Sequence, residues 1–291
     1  MSGHRSTALW RLLETYHAVV YFAPERSVHY QGLGLKGGWM GYFASRSGAL
    51  GAVSPEVVTA CFYNFKHTLV ARALPDAWTY TTPVLACQAR LAVFDQAIQR
   101  LLGEQATSPR MRECADLAVA AVYGCEPAGR PLFAAHAALP VPHDAHLALF
   151  WASAALREFR GDGHNIALAH ARIDGCEAHV LMAALGLVPA DQRRYRGWDE
   201  QDWSAATTGL QARGWLDEAG RITDAGRRAR ADIEHVTDRL SEAPWRHLGP
   251  DRSDRLRQQL TPLAAQVVTA GGVPYPNGMG VPCAPELATT R

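Results

Sequence analysis

Two histidine-bearing segments carry the residue types best suited to chemistry. Arg160-Gly-Asp-Gly-His164-Asn165 packs four polar side chains and two glycines into six residues. A helix opening there offers free backbone N–H groups and a positive dipole end to an anion or carbonyl oxygen. Asp162 stands where it can fix the tautomer of His164, so the two form a candidate acid–base couple. The second segment is Tyr16-His17, followed by Tyr21, Pro24 and Glu25. His17 is the third candidate catalytic group. Arg46, in a Gly/Ser-rich loop, is a candidate anion clamp, and Arg160, Asn165, Tyr21 and Glu25 are candidate ligand contacts. A plainer reading stands beside this one: Asp162 is only an N-cap, His164 a satisfied turn residue, and His17 a buried structural histidine.

A weak internal echo links the two segments. His17 is followed by Gly32-Leu-Gly-Leu35 and a helix ending near Ala-Arg-Ala-Leu74. His164 is followed by Ala184-Leu-Gly-Leu187 and a helix ending at Ala-Arg-Gly-Trp215. If the halves are a diverged repeat, pseudo-twofold packing brings both histidines to one cleft between them.

Helical periodicity dominates the elements that must position these groups. Residues 6–20 place Leu9, Leu12, Leu13, Tyr16 and Val20 on one face. Ser54-Pro55-Glu56 opens a helix expected to run to about Ala73, because it combines a capping hydroxyl, Pro at the first position and an acid against the dipole. Further helices are expected over 82–103, 108–122, 146–159, 164–185, 199–214, 224–242 and 251–268. The organisation that follows is a helical, degenerate winged-helix-like half over 1–126, a Pro/Gly-rich connection over 127–145, a winged-helix-like half over 146–268, and a disordered tail over 269–291.

Composition limits the functions open to the chain. It has 291 residues, 29 Lys and Arg against 28 Asp and Glu, so its near-neutral balance exerts no long-range pull on nucleic acid or anionic membrane. No run of about 18 apolar residues occurs, so no membrane partner is expected. The start, MSGHRSTALW, lacks the apolar core of a signal peptide and reads as mature protein. Six cysteines without a CxxC pair suggest a reducing cytoplasm. No metal site is expected: HExxH is absent, His164 and His170 do not share a helix face, and His143 and His146 beside Asp144 read as a polar helix start. There is no P-loop, no GxSxG and no GxGxxG in strand–helix context, so no cofactor is named.

The most specific local pattern is Trp203 to Arg227. A helix ends at Arg213-Gly214, Trp215-Leu216 form a short strand, Glu218-Ala219-Gly220 turn, Arg221-Ile222 return, and Thr223 caps the next helix. This is similar to the end of a MarR-type winged helix. Its helix start carries Asp199, Glu200 and Asp202, where a major-groove reader needs donors or cations, so nucleic acid is disfavoured. Arg193, Arg194, Arg196 and Arg221 are the candidate phosphate contacts if DNA is bound.

Over residues 7–268 the chain resembles an actinobacterial family of winged-helix, MarR-like helix-turn-helix proteins. The likeness rests on His17-Ala-Val-Val-Tyr-Phe-Ala-Pro-Glu25, Gly41-Tyr-Phe-Ala-Ser-Arg46, Gly129-Arg-Pro-Leu-Phe-Ala-Ala135, Arg157-Glu-Phe-Arg-Gly-Asp-Gly-His164 and the 198–226 segment. It implies a fold and no catalytic assignment. The resulting expectation is a mainly α protein of two winged-helix-like halves with a minimal β-wing. It binds a small molecule in a cleft between the halves through histidines and arginine, with enzymatic action left open. The alternative is a MarR-like, ligand-responsive DNA-binding transcription regulator. The oligomeric expectation is a monomeric pseudo-dimer or a homodimer.

Overall fold

Hydroxyl–proline pairs set several of the helix starts in the computed structural model. Thr82 accepts the amide of Leu85 and Ser108 that of Met111, both at 3.2 Å, with Pro83 and Pro109 supplying the pre-set first φ. The structure describes residues 2–275 together with 277, 279, 283, 284 and 287. In chain order the helices are α1 (Ser2–Phe22), α2 (Arg26–Gly32), α3 (Gly37–Ser47), α4 (Pro55–Phe62), α5 (His67–Ala71), α6 (Ala77–Tyr80), α7 (Pro83–Leu102) and α8 (Pro109–Val122). They continue as α9 (Pro131–Ala137), α10 (Ala145–His170), α11 (Gly175–Ala184), α12 (Glu200–Ala212), α13 (Asp224–Leu240), α14 (Ala243–Leu248) and α15 (Pro250–Thr269). The protein is mainly α. Among the described residues the one β feature is an antiparallel bridge between Leu216 and Ile222.

The largest departure from the expected elements is at 160–165. Gly161-Asp162-Gly163 does not start a helix; it lies inside α10, which runs unbroken from Ala145 to His170. Each mid-helix glycine costs about 1 kcal/mol relative to alanine, but packing on both sides of α10 outweighs that cost. Gly163 has a positive reason to be there. A Cβ on it would sit 2.8 Å from Nη1 of Arg130 and 3.3 Å from Cβ of Leu240. The missing side chain lets Arg130 cross α10 and donate to the carbonyls of Phe159 and Leu240.

The helix expected over 54–73 is also interrupted. α4 stops at Phe62, Tyr63 takes φ 39°, and α5 begins at His67. The intervening backbone turns to partners elsewhere. The Lys66 amide donates to the carbonyl of Arg196 at 2.9 Å, and the Trp198 indole donates to that of Asn64 at 3.1 Å. The Tyr63 hydroxyl donates to the Ile173 carbonyl at 2.7 Å. Gly175 admits this strand of chain, because a Cβ there would lie 2.2 Å from the Tyr63 carbonyl oxygen.

Two apolar cores result. The larger is built on α1, which is buried on nearly every side from Leu12 to Tyr21, and is completed by α3, α7, α8, the first part of α10 and α15. The smaller joins Ala167, Leu168 and Ile173 to α11, α12, Leu216 and Ile233. The cores therefore divide the chain within α10, not at the expected 127–145 connection, and α14 and α15 return to the first core. Part of the tail expected to be disordered lies outside the described residues. Val273, Ala284 and Leu287 of that stretch are buried in the larger core. The second core packs α11 against α12, with a 3-10 turn at Ala190–Arg196 in the chain between them.

Candidate functional site

The buried face of α1 is not wholly apolar. Glu14, His17 and Tyr21 lie along it at helical spacing and are all buried. Opposite them α10 contributes Arg157 and Glu158, α3 contributes Arg46, and α7 contributes Arg90. Arg46 grips Glu158 at two points, Nε to Oε1 at 3.0 Å and Nη2 to Oε2 at 2.8 Å. Its Nη1 donates to the Tyr42 hydroxyl at 2.9 Å, and its guanidinium lies 4.0 Å from the Phe62 ring centre. Arg157 donates to Glu14 and to Glu158, both at 2.9 Å. Arg90 donates through Nη2 to Nε2 of His17 and to the Tyr21 hydroxyl, both at 3.0 Å. The Arg90 bond fixes the tautomer of His17: Nε2 is the acceptor, so the proton is on Nδ1.

The electrostatics follow from burial and crowding. Burial alone pushes the Glu158 carboxyl up, but Arg46 and Arg157 hold it well below the usual range. Burial, reinforced by Arg90 and Arg157, keeps His17 neutral, its pKa well below the ordinary imidazole value. His136 donates from Nε2 to the Arg46 carbonyl at 3.1 Å and is pushed down to about 4, again chiefly by burial. Burial raises the Tyr42 phenol, yet Arg46, Arg196 and Arg157 together bring it below its ordinary value. The cluster is thus a cation-rich, aromatic-lined interior.

Of the groups the sequence singled out, His17, Tyr21 and Arg46 meet here. Arg46 is not in a loop; it is buried in the last turn of α3. The others lie elsewhere. Asp162 and His164 are two residues apart on one continuous helix, about 200° around its axis, so they cannot form the expected couple. Asp162 accepts the Phe133 amide at 2.9 Å and is raised to about 6, mainly by burial. His164 Nδ1 pairs with the Thr237 hydroxyl at 2.9 Å and is lowered to about 4 by burial. With α10 unbroken, no free N–H groups open at 160–165, and the anion site expected there is absent.

Arg160 binds Asp238 at 2.7 Å and Glu234 at 3.1 Å, tying α10 to α13. Asn165 donates to the Cys61 carbonyl at 2.8 Å. Glu25 pairs with Arg100 at 2.7 Å, away from the cluster. Glu14, Arg90, Arg157 and Glu158 were missed as site residues. Their signal was a charged side chain on a helix face that periodicity marks as buried. Among the described residues, no group of three or more His, Cys, Asp or Glu stands together to hold a metal. Among the same residues no helix is long and apolar enough to cross a membrane.

The start of α12 has its own polar chemistry. Asp199 and Asp202 form a reciprocal capping box, with the Asp202 amide on Asp199 at 2.9 Å and the Asp199 amide on Asp202 at 3.0 Å. Lys66 then bridges both carboxylates, at 2.9 Å and 2.5 Å. Backbone donation from Asp202, with help from Lys66, lowers Asp199 to about 2. Glu200 is paired with Arg193. Of the acids that seemed to bar a nucleic-acid backbone, Asp199 and Asp202 are therefore structural caps held by Lys66, and Glu200 is exposed with Arg193 as its partner. The outward residues of α12 are Glu200, Gln201, Ser204, Ala205, Thr208 and Ala212, of which only Glu200 is charged.

Of the candidate phosphate contacts, Arg194 is exposed. Arg221 is exposed but bonded to Asp217 at 2.8 Å. Arg196 is instead half-buried, 4.5 Å over the Phe65 ring.

This arrangement is that of an all-helical protein built around a helix-turn-helix, with the second core hung on a larger helical body. A helix-turn-helix family model matches residues 6–274, and the chain belongs to that family. No curated protein matches the chain, and no solved structure matches it.

Proposed function

We propose that this chain is a ligand-responsive regulator of MarR-like kind. It recognises a small molecule in the buried arginine–aromatic cluster and presents α12 to duplex DNA. The observation that carries this reading is the strap at residues 61–66. At one end Phe62 lies under Arg46 inside the cluster. At the other, Lys66 clasps the capping box that starts α12. A change in the cluster therefore has a direct packed route to the helix that would enter a groove. Gln201, Ser204 and Thr208 are residue types that read base edges, and Arg194 and Arg221 are placed to approach phosphate. The reading is of recognition rather than catalysis, since the suggested acid–base couple does not meet.

Selection from a random duplex pool tests the DNA half. Retained duplexes should shift the full-length protein, with affinity falling as salt rises, and Gln201→Ala with Thr208→Ala should relax the selected sequence. Failure to retain any duplex at low salt overturns it. A second reading, small-molecule recognition without nucleic acid, is favoured by the absence of any cation on the outward residues of α12; the same selection decides between them.

A further inference from the structure

We propose that α12 reads an A·T core in the major groove of duplex DNA, through Gln201 to adenine and through Ala205 and Thr208 to thymine methyl groups. This rests on the DNA half of the reading above and names the class of sequence that half would recognise.

α12 presents two opposite faces. Ala206 and Leu210 are buried in the second core. Gln201, Ser204, Ala205 and Thr208 recur at the three- and four-residue spacing of one stripe on the far side, and all are exposed. Trp198, Trp203 and Trp215 pack against the same core, and the reciprocal cap of Asp199 and Asp202 fixes the first turn. The stripe is therefore carried on a well-supported helix. At a rise of about 1.5 Å per residue it spans about 10 Å, or about three base-pair steps.

Its side chains match one kind of base edge. The Gln201 amide offers an acceptor and a donor side by side, the pairing that adenine N6 and N7 require. The Ala205 side chain is a methyl group and Thr208 carries a second; each is an apolar partner for the C5-methyl of thymine. Ser204 bonds any base and discriminates little. Guanine is most often read by Arg or Lys, and neither stands on the stripe. Glu200 lies at its edge, paired with Arg193, and an acceptor there opposes the O6 and N7 acceptors of guanine.

Cations stand at the two ends of the stripe rather than along it. Arg194 is exposed in the turn before α12. Past the far end, the Thr223 hydroxyl donates to the carbonyls of Gly214 and Trp215, which brings the start of α13 back beside the end of α12. Arg227 and Arg228, in the first turns of α13, are exposed. Arg213 is exposed too, but it is turned to the carbonyls of Ala171 and Arg172. A stripe without cations between flanking arginines suits a duplex, whose phosphates border the groove and whose base edges form its floor.

Duplexes retained by the full-length protein from a random pool test the proposal. Their shared core should be about four base pairs of A·T. Deoxyuridine in place of a contacted thymine removes only the methyl group and should weaken binding about four-fold. 7-Deazaadenine in place of the contacted adenine should weaken it about five-fold or more. Gln201→Arg should move the preference at one position from adenine to guanine. Thr208→Ser, which keeps the hydroxyl, should erase the deoxyuridine penalty at another. A G·C core, or an A·T core insensitive to both base analogues, as when duplex shape alone is read, overturns this inference and leaves the regulator reading standing. Absence of any retained duplex overturns both.

Discussion

Arg46 and Glu158 form a two-point ion pair between α3 and α10, and both side chains are almost wholly buried. Such a pair is a weak net source of stability, because two desolvated charges offset most of their attraction, but breaking it is severe. Glu158→Gln should therefore destabilise the protein by roughly 3–5 kcal/mol, since it leaves Arg46 and Arg157 with one fewer counter-charge. Urea unfolding monitored by circular dichroism measures this, and a loss below about 1 kcal/mol would contradict the pairing.

The buried imidazoles make a prediction about acid. His136 and His164 are lowered to about 4, His179 to about 3, and His17 also falls, in each case chiefly through burial. A group whose folded pKa is depressed contributes its stability above its unfolded value and loses it as pH falls toward the folded value. For these histidines the window runs from about 6.5 down to about 4. Asp162, raised to about 6, acts in the opposite sense: its contribution grows as pH falls through that value. Four histidines outweigh one carboxyl, so unfolding free energy should drop steeply between pH 6.5 and 4. Urea titrations across that range that show a flat or rising profile would refute it.

Gly175 tests the strap. A methyl group there would meet the Tyr63 carbonyl oxygen at 2.2 Å, a backbone atom that cannot rotate away. Gly175→Ala should cost about 1–3 kcal/mol or more and speed amide exchange over residues 61–66. Gly186→Ala provides no matched control, because φ is +70° there. Gly161→Ala does: its nearest neighbour is the Glu158 carboxylate at 3.5 Å, and a mid-helix alanine should stabilise by up to about 1 kcal/mol.

Asp199 acts as cap before it acts as charge. Asp199→Asn retains a good capping acceptor and loses only the exposed bond to Lys66, so exchange over 200–204 should change little. Asp199→Ala removes the cap and should accelerate exchange in that first turn. Equal behaviour of the two variants would mean that the Lys66 bridge, not the cap, holds the start of α12.

Helix starts were legible in the sequence because their causes are local. Thr82-Pro83, Ser108-Pro109, Asp199 and Thr223 each cap the helix that follows, using atoms within three residues. The Leu216–Ile222 bridge was legible for the same reason, as a tight turn between two short apolar pairs. Gly161-Asp162-Gly163 misled because its local preference is to break a helix. Arg130, Phe133 and Leu240, far off in the chain, supply the packing that keeps α10 whole.

The sequence by itself determined that this is a helical chain, with a winged-helix-like segment ending in a shortened turn and with His17 as a residue out of place on an apolar helix. Only the tertiary structure decided which charges meet. Arg90, Arg157, Glu14 and Glu158 come from three helices, and what each contributes depends on burial and on a partner that periodicity does not name. The same holds for the acids at the start of α12. Read locally they repel a phosphate backbone; folded, they are held by their own cap and by Lys66, more than a hundred residues earlier in the chain.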